Sequence, residues 1–112
     1  MVQYQELLDR TFAALSDPTR RGVLERLGRG RATISDLAEP FGISLTGMKK
    51  HVQVLEDAGL VRTEKVGRTR WCAVGAQDLD EVQRWIVDYR LMLEERLDRL
   101  GEFLEGTKGQ QS

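Results

Sequence analysis

A chain of 112 residues, 40% hydrophobic and 31% charged, fits one globular domain and is too apolar for disorder. No run approaches the roughly 18 apolar residues of a membrane span, and the amino terminus lacks the basic-then-apolar layout of a signal peptide, so a cytoplasmic location and no membrane partner are expected. A single cysteine, Cys72, and a single histidine, His51, exclude an internal disulfide framework and leave little for a zinc cluster or catalytic constellation. No catalytic residue, cofactor or metal site is therefore expected.

The formal net charge of −1 argues at first against a nucleic-acid partner, but its distribution reverses that impression. Residues 1–43 balance six basic side chains against six acidic ones, residues 44–71 carry six against three, and residues 72–112 carry five against nine. A basic middle beside an acidic end points to an anionic partner for the middle.

Tyr4, Leu7, Leu8, Phe12 and Leu15 fall at helical spacing and predict a first amphipathic helix over residues 4–15. Ser16-Asp17-Pro18-Thr19-Arg20-Arg21 follows, with Asp17 as N-cap and Pro18 as first helical residue, where its missing N–H costs nothing. The second helix should bury Val23, Leu24 and Leu27 and stop at Gly28 and Gly30. Thr33-Ile34-Ser35-Asp36 has capping-box spacing and opens a short third helix that buries Leu37, Ala38 and Phe41, is shortened by Pro40 and ends at Gly42.

Ser44 then caps a fourth helix over 45–57, with Met48, Val52 and Leu55 on one face and Thr46, Lys49, Lys50 and Gln53 on the other. Ala58-Gly59-Leu60 supplies a Schellman-type stop. Two short helices joined by a tight turn, the second polar and basic on its outer face, form a helix-turn-helix signature. Residues 60–66 and 69–74 read as two strands around a Gly67-Arg68 turn, which adds a basic-tipped wing.

Leu79, Val82, Ile86, Tyr89, Leu93, Leu97, Leu100 and Leu104 recur at steps of three and four, widened by Trp85, Met92 and Phe103. A helix of about 26 residues spans about 39 Å, longer than so small a core can cover. Pairing with a second copy of the chain through this helix and the first is the expected outcome, against the alternative of a helix folded back on its own core. The expected interface comprises Leu7, Leu8, Phe12, Leu79, Val82, Trp85, Ile86, Tyr89, Leu93, Leu97 and Leu100.

The predicted fold is thus mainly α with a small β-hairpin, a dimeric winged helix-turn-helix of order α-α-α-α-β-β-α. Within one domain of residues 1–112, residues 1–15 and 78–104 form dimerisation helices, 16–75 the DNA-binding core and wing, and 105–112 a flexible polar tail. Leu45, Thr46, Lys49 and Lys50 should face the major groove of double-stranded DNA, Leu45 meeting a thymine methyl and Thr46 a base edge or phosphate. Lys65, Arg68 and Arg70 on the wing suit phosphate or the minor groove. Arg20 and Arg21 sit on a helix first turn that favours an anion, with surface solvation or a salt bridge to Asp17 as the alternative. His51 supports the turn or touches a phosphate. Cys72 reads as a small buried hydrophobe.

Leu15-Ser16-Asp17-Pro18-Thr19-Arg20-Arg21, then Asp36-Leu37-Ala38-Glu39, then the stretches 44–51 and 54–61 resemble ArsR-type repressors in order, over about residues 7–75. The resemblance implies a dimeric winged-helix transcription factor that binds operator DNA, with Thr46, Lys49 and Lys50 on its recognition helix and Lys65, Arg68 and Arg70 on its wing. Two departures matter. Ile34-Ser35-Asp36-Leu37-Ala38 lacks the cysteine pair of metal-sensing members, and the last helix has Asp88, Glu94, Glu95 and Asp98 but no histidine. The chain is therefore similar to the metal-independent branch.

The leading expectation is a homodimeric repressor on an inverted-repeat operator, with an unidentified small-molecule effector as a further partner. The alternative is a protein-docking module that uses the last helix. An enzyme is the weakest reading, because no nucleophile–base set or phosphate loop is present and Gly28-Arg29-Gly30 merely ends a helix.

Overall fold

The computed structural model describes residues 2–76 and 79–111, with side chains placed from 5 to 76 and from 79 to 106. The side chain of Tyr4, and residue 78 at the start of the expected dimerisation segment, lie outside the described residues. The chain forms two compact units, residues 1–78 and 79–112.

The first unit contains α1 (Val2–Leu15), α2 (Pro18–Leu27), β1 (Ala32–Thr33), α3 (Ile34–Phe41), α4 (Leu45–Asp57), β2 (Val61–Val66) and β3 (Thr69–Val74). Its helix boundaries follow from local chemistry. Asp17 stays extended and its carboxylate accepts the Arg20 N–H at 3.0 Å, which starts α2. At α3, Thr33 Oγ1 accepts the Asp36 N–H while Asp36 Oδ2 accepts the Thr33 N–H, the reciprocal bonds of a capping box. Ser44 Oγ accepts the Gly47 N–H at 3.0 Å and starts α4. Gly59, at φ +76°, closes that helix by donating to Glu56, and Leu60 donates to the Leu55 carbonyl. Leu60 therefore belongs to the stop, and the strand begins one residue later than the sequence pattern indicates.

The sheet contains one strand more than the expected hairpin. β1 pairs antiparallel with β3, Ala32 opposite Cys72 and Thr33 opposite Trp71, giving the order β1-β3-β2. The element order is therefore α-α-β-α-α-β-β-α. At the wing tip Gly67 takes φ +64°, the positive value that the first central residue of a tight hairpin turn needs.

Beneath the sheet, Val23, Leu27, Leu37, Met48, Val52, Leu55 and Cys72 form a closed core. Leu24 is only half-buried at its margin. Phe41 departs from expectation: it is 38% exposed. Its ring lies over Gly22 of α2, where an added Cβ would sit 2.7 Å from Phe41 Cζ. The ring thus packs on helix backbone at the rim of the core rather than within it.

The second unit is one helix, α5 (Asp80–Gln111), of 32 residues and about 48 Å. It continues past Leu104 to Gln111 rather than releasing a flexible tail from residue 105. No proline stands after Leu104 to remove a helical N–H, so the backbone ladder continues. Along it Ile86 is 49%, Leu97 65% and Leu100 52% exposed, with Trp85, Tyr89 and Leu93 also exposed and Val82 buried; Leu79, just before the helix, is exposed as well. Among the described residues no helix is long and apolar enough to cross a membrane.

Candidate nucleic-acid interface

The outer face of α4 presents Leu45, Thr46, Lys49 and Lys50, all exposed, because Met48, Val52 and Leu55 turn the opposite face into the core. Gly47 lies between them, and its added Cβ would stand 3.2 Å from Ser44 Oγ. A side chain there presses on the oxygen that caps its own helix, so the glycine protects the cap.

Strand alternation builds the facing wall. Lys65 of β2 lies opposite Arg70 of β3, two residues from the Thr63–Cys72 pair on the same face of the sheet. A cleft of about 540 Å³ results, lined by Lys49 and Leu45 of α4, by Lys65, Arg68, Thr69 and Arg70 of the wing, and by Thr33, Ile34 and Ser35 at the start of α3. A smaller cleft of about 340 Å³ shares Ile34, Lys49 and Arg70 and extends along Gln53 and Glu56.

One carboxylate braces the wing against the helix. Glu56 Oε2 accepts both the N–H and the hydroxyl of Thr63, at 3.1 and 2.6 Å, and Thr63 Oγ1 accepts a bond from Arg70 Nη1 at 2.9 Å. Among the described residues lining the two clefts Glu56 is the only acid, and it is engaged by Thr63; four cations and three hydroxyls line the larger cleft, with Arg70 also holding Thr63 and the Thr33 hydroxyl also capping α3. On the wing's other face the Arg31 guanidinium stacks over the Trp71 ring, 4.3 Å from its centroid.

The remaining expected DNA contacts lie elsewhere. Thr46 and Lys50 are exposed on α4 but do not line the cleft. Arg20 donates to the carbonyls of Ala14 and Ala13 at 2.8 and 2.9 Å and approaches His51 Nδ1 at 3.3 Å, while Arg21 donates to Leu15 O at 2.6 Å. Asp17 is N-cap to α2 and lies 3.9 Å from His51 Nδ1. The Arg20 N–H holds its carboxyl below the ordinary aspartate value, with desolvation acting the other way. Among the expected interface residues of α1, Phe12 is 37% exposed, Leu7 half-buried and Leu8 already buried within the chain, as is Val82 of α5.

Sequence reasoning missed Ser35 and Thr69 as cleft residues and saw Thr33 only as a cap. Their place on the cleft depends on β1 pairing with β3, which brings the start of α3 beside the wing. Among the described residues no three His, Cys, Asp or Glu side chains converge as metal ligands would.

A basic-faced helix after a tight turn, flanked by a basic wing, defines a winged helix-turn-helix that binds DNA. The comparisons with known proteins agree. A helix-turn-helix domain family model matches residues 15–64. The transcriptional repressor SdpR of Bacillus subtilis is 29% identical over 82 residues, 73% of this chain and 91% of that protein. The crystal structure of an ArsR family transcriptional regulator is 47% identical with a TM-score of 0.75, covering 84% of this chain and 97% of that one. A homodimeric winged helix-turn-helix DNA-binding domain from Mycobacterium bovis, 21% identical with a TM-score of 0.64 over 88% of each chain, shares the fold. The chain belongs to the ArsR family and is a DNA-binding transcriptional regulator.

Proposed function

We propose that the protein is a cytoplasmic homodimeric repressor with no catalytic role of its own. Each protomer lays α4 into the major groove at one half-site of an inverted repeat, with half-sites about 34 Å apart. Leu45, Thr46, Lys49 and Lys50 meet the groove, and Lys65, Arg68 and Arg70 hold the neighbouring phosphates. The observation that carries this reading is the convergence of Lys49, Lys65, Arg68 and Arg70 on one open cleft beside the exposed start of α4. A cleft walled by cations and hydroxyls fits a phosphodiester backbone, whose affinity is mostly electrostatic.

Dimerisation is supported by the apolar stripe of α5, exposed from Leu79 to Leu104 apart from Val82, and by the homodimeric relative of the same fold. Repression is supported by the named role of SdpR.

The test is fluorescence anisotropy with duplex DNA from upstream of the protein's own gene against a scrambled duplex, at two salt concentrations. Tight, selective and salt-sensitive binding is expected. Weak binding equal on both duplexes points to a missing small-molecule effector or to the protein-docking alternative. Repeating the titration with the small-molecule fraction of a cell lysate separates those two.

A further inference from the structure

We infer that Arg20 is a positioning residue, which fastens the recognition helix α4 to the end of α1 through His51 and does not contact DNA. The inference rests on α4 being the groove-reading element. An α-helix leaves its last carbonyls without intrahelical partners, and cations are favoured there. In α1 those carbonyls belong to Ala13, Ala14 and Leu15, and Arg20 and Arg21 between them reach all three.

Arg20 does more than cap. Its Nε and Nη2 donate to two consecutive carbonyls, which fixes the plane of the guanidinium, and Nη1 lies 3.3 Å from His51 Nδ1. Arginine only donates, so Nδ1 is the acceptor in this contact. The Arg20 backbone N–H meanwhile bonds the Asp17 carboxylate that caps α2. One residue thus joins the end of α1, the start of α2 and the flank of α4, at the position that directly follows Lys50. Each of its three guanidinium nitrogens has a protein partner, and the group is part-buried, so the fork is aimed inward.

Positioning and phosphate contact leave different signatures. A lost phosphate contact weakens binding to every sequence and lowers the salt slope by about 1. A loosened recognition helix loses operator affinity while retaining its non-specific charge. The experiment titrates the upstream duplex and the scrambled duplex across a salt series. It uses wild type, Arg20→Gln, His51→Leu, His51→Gln and the double variant Arg20→Gln/His51→Leu, each confirmed folded by circular dichroism.

We expect Arg20→Gln and His51→Leu to lower operator affinity by about tenfold and about fivefold, with scrambled-duplex affinity and salt slope unchanged. The double variant should bind no more weakly than Arg20→Gln, and His51→Gln, which keeps an acceptor, should return to within about twofold of wild type. His51→Leu leaves both carbonyl bonds of Arg20 in place, so it reports on the junction even where Arg20→Gln destabilises α1. A lower salt slope with equal loss on both duplexes would make Arg20 a phosphate contact and overturn the inference. So would losses that simply add in the double variant. A wild type that does not distinguish the duplexes overturns the groove-reading role of α4, and the inference with it.

Discussion

The two compact units solve opposite problems. Residues 1–78 close a core of their own: Leu37, Met48, Leu55, Val23 and Cys72 are inaccessible to solvent while Phe12, Phe41, Leu45, Val54, Val66 and Val74 stay exposed around it, and both ends of α3 and α4 are capped by their own residues. Residues 79–112 leave leucine after leucine in water along a single helix. Burying apolar area is the main favourable term in folding, which is why a second copy of the chain is proposed to cover a stripe of this length. The contrast separates the two proposed jobs: the first unit forms the basic cleft from its own residues, and the second offers an exposed stripe for dimerisation.

The largest expected effect breaks the assembly side of this contrast. Leu93 lies in the middle of the stripe and is exposed in the single chain. Leu93→Glu should leave the fold of residues 1–78 intact and give monomers in sedimentation equilibrium. Because two linked half-sites gain avidity of 10² or more, operator affinity should fall by at least about a hundredfold. A Leu93→Glu protein that remains dimeric would remove α5 from the interface.

The next breaks the self-contained side. The Gly75 N–H donates to the Leu60 carbonyl, and a Cβ on Gly75 would overlap the Gly59 carbonyl oxygen and stand 2.9 Å from Val61 N. These are backbone atoms of the Schellman stop and the start of β2, which cannot rotate away. Gly75→Ala should therefore cost about 2 kcal/mol in urea unfolding, without changing the oligomer seen before the transition. An unchanged midpoint would show that the junction between β3 and the α4 stop is softer than its geometry implies.

Within the cleft, Lys49→Ala should weaken operator binding by about tenfold, and Arg68→Ala should act evenly on all sequences while lowering the salt slope by about 1. Arg70 differs from Arg68 because it also holds Thr63, and Thr63 in turn is anchored to Glu56. Arg70→Ala is therefore expected to lower wing stability as well as affinity. If Arg68→Ala leaves the slope unchanged, the wing tip does not meet phosphate.

Much of this was legible in the sequence wherever the governing interaction is local. The bounds of α4 follow from Ser44 at one end and Gly59 at the other, because caps and left-handed stops act within five residues. The wing turn at Gly67 is equally local. β1 was not legible, since two residues carry no periodicity and their partner strand lies some forty positions away. The same distance hid Ser35 and Thr69 as cleft residues. Arg20 and Lys49 present the same sign of charge, yet one faces backbone carbonyls and the other solvent, and only the packing of α1, α2 and α4 decides which. Phe41 carried the right hydrophobicity for the core, but the missing side chain of Gly22 offered it a place on the rim.

The smallest effect tests how tightly the first unit is closed. Cys72 lies in the central strand between Ala32 and Thr63 and is inaccessible to solvent. Burial pushes its thiol from 9.0 up to about 11, with the Arg70 charge acting the other way and the Glu56 charge adding to the rise. A thiol whose folded value lies above its unfolded one favours the protonated chain. Its contribution is complete below pH 9, and it is lost as pH rises from 9.0 through about 11, where the unfolded chain gains a thiolate that the fold disfavours. Thermal melts from pH 8 to 10.5 should therefore fall slightly more steeply for wild type than for Cys72→Ala, the difference cancelling the tyrosines and lysines common to both. The native protein should also resist alkylation by iodoacetamide at pH 8 and react only in urea, because the nucleophile is the thiolate and burial suppresses it. Rapid labelling of the folded protein would mean that the sheet opens over its own core, and the contrast between a closed first unit and an open second one would no longer hold.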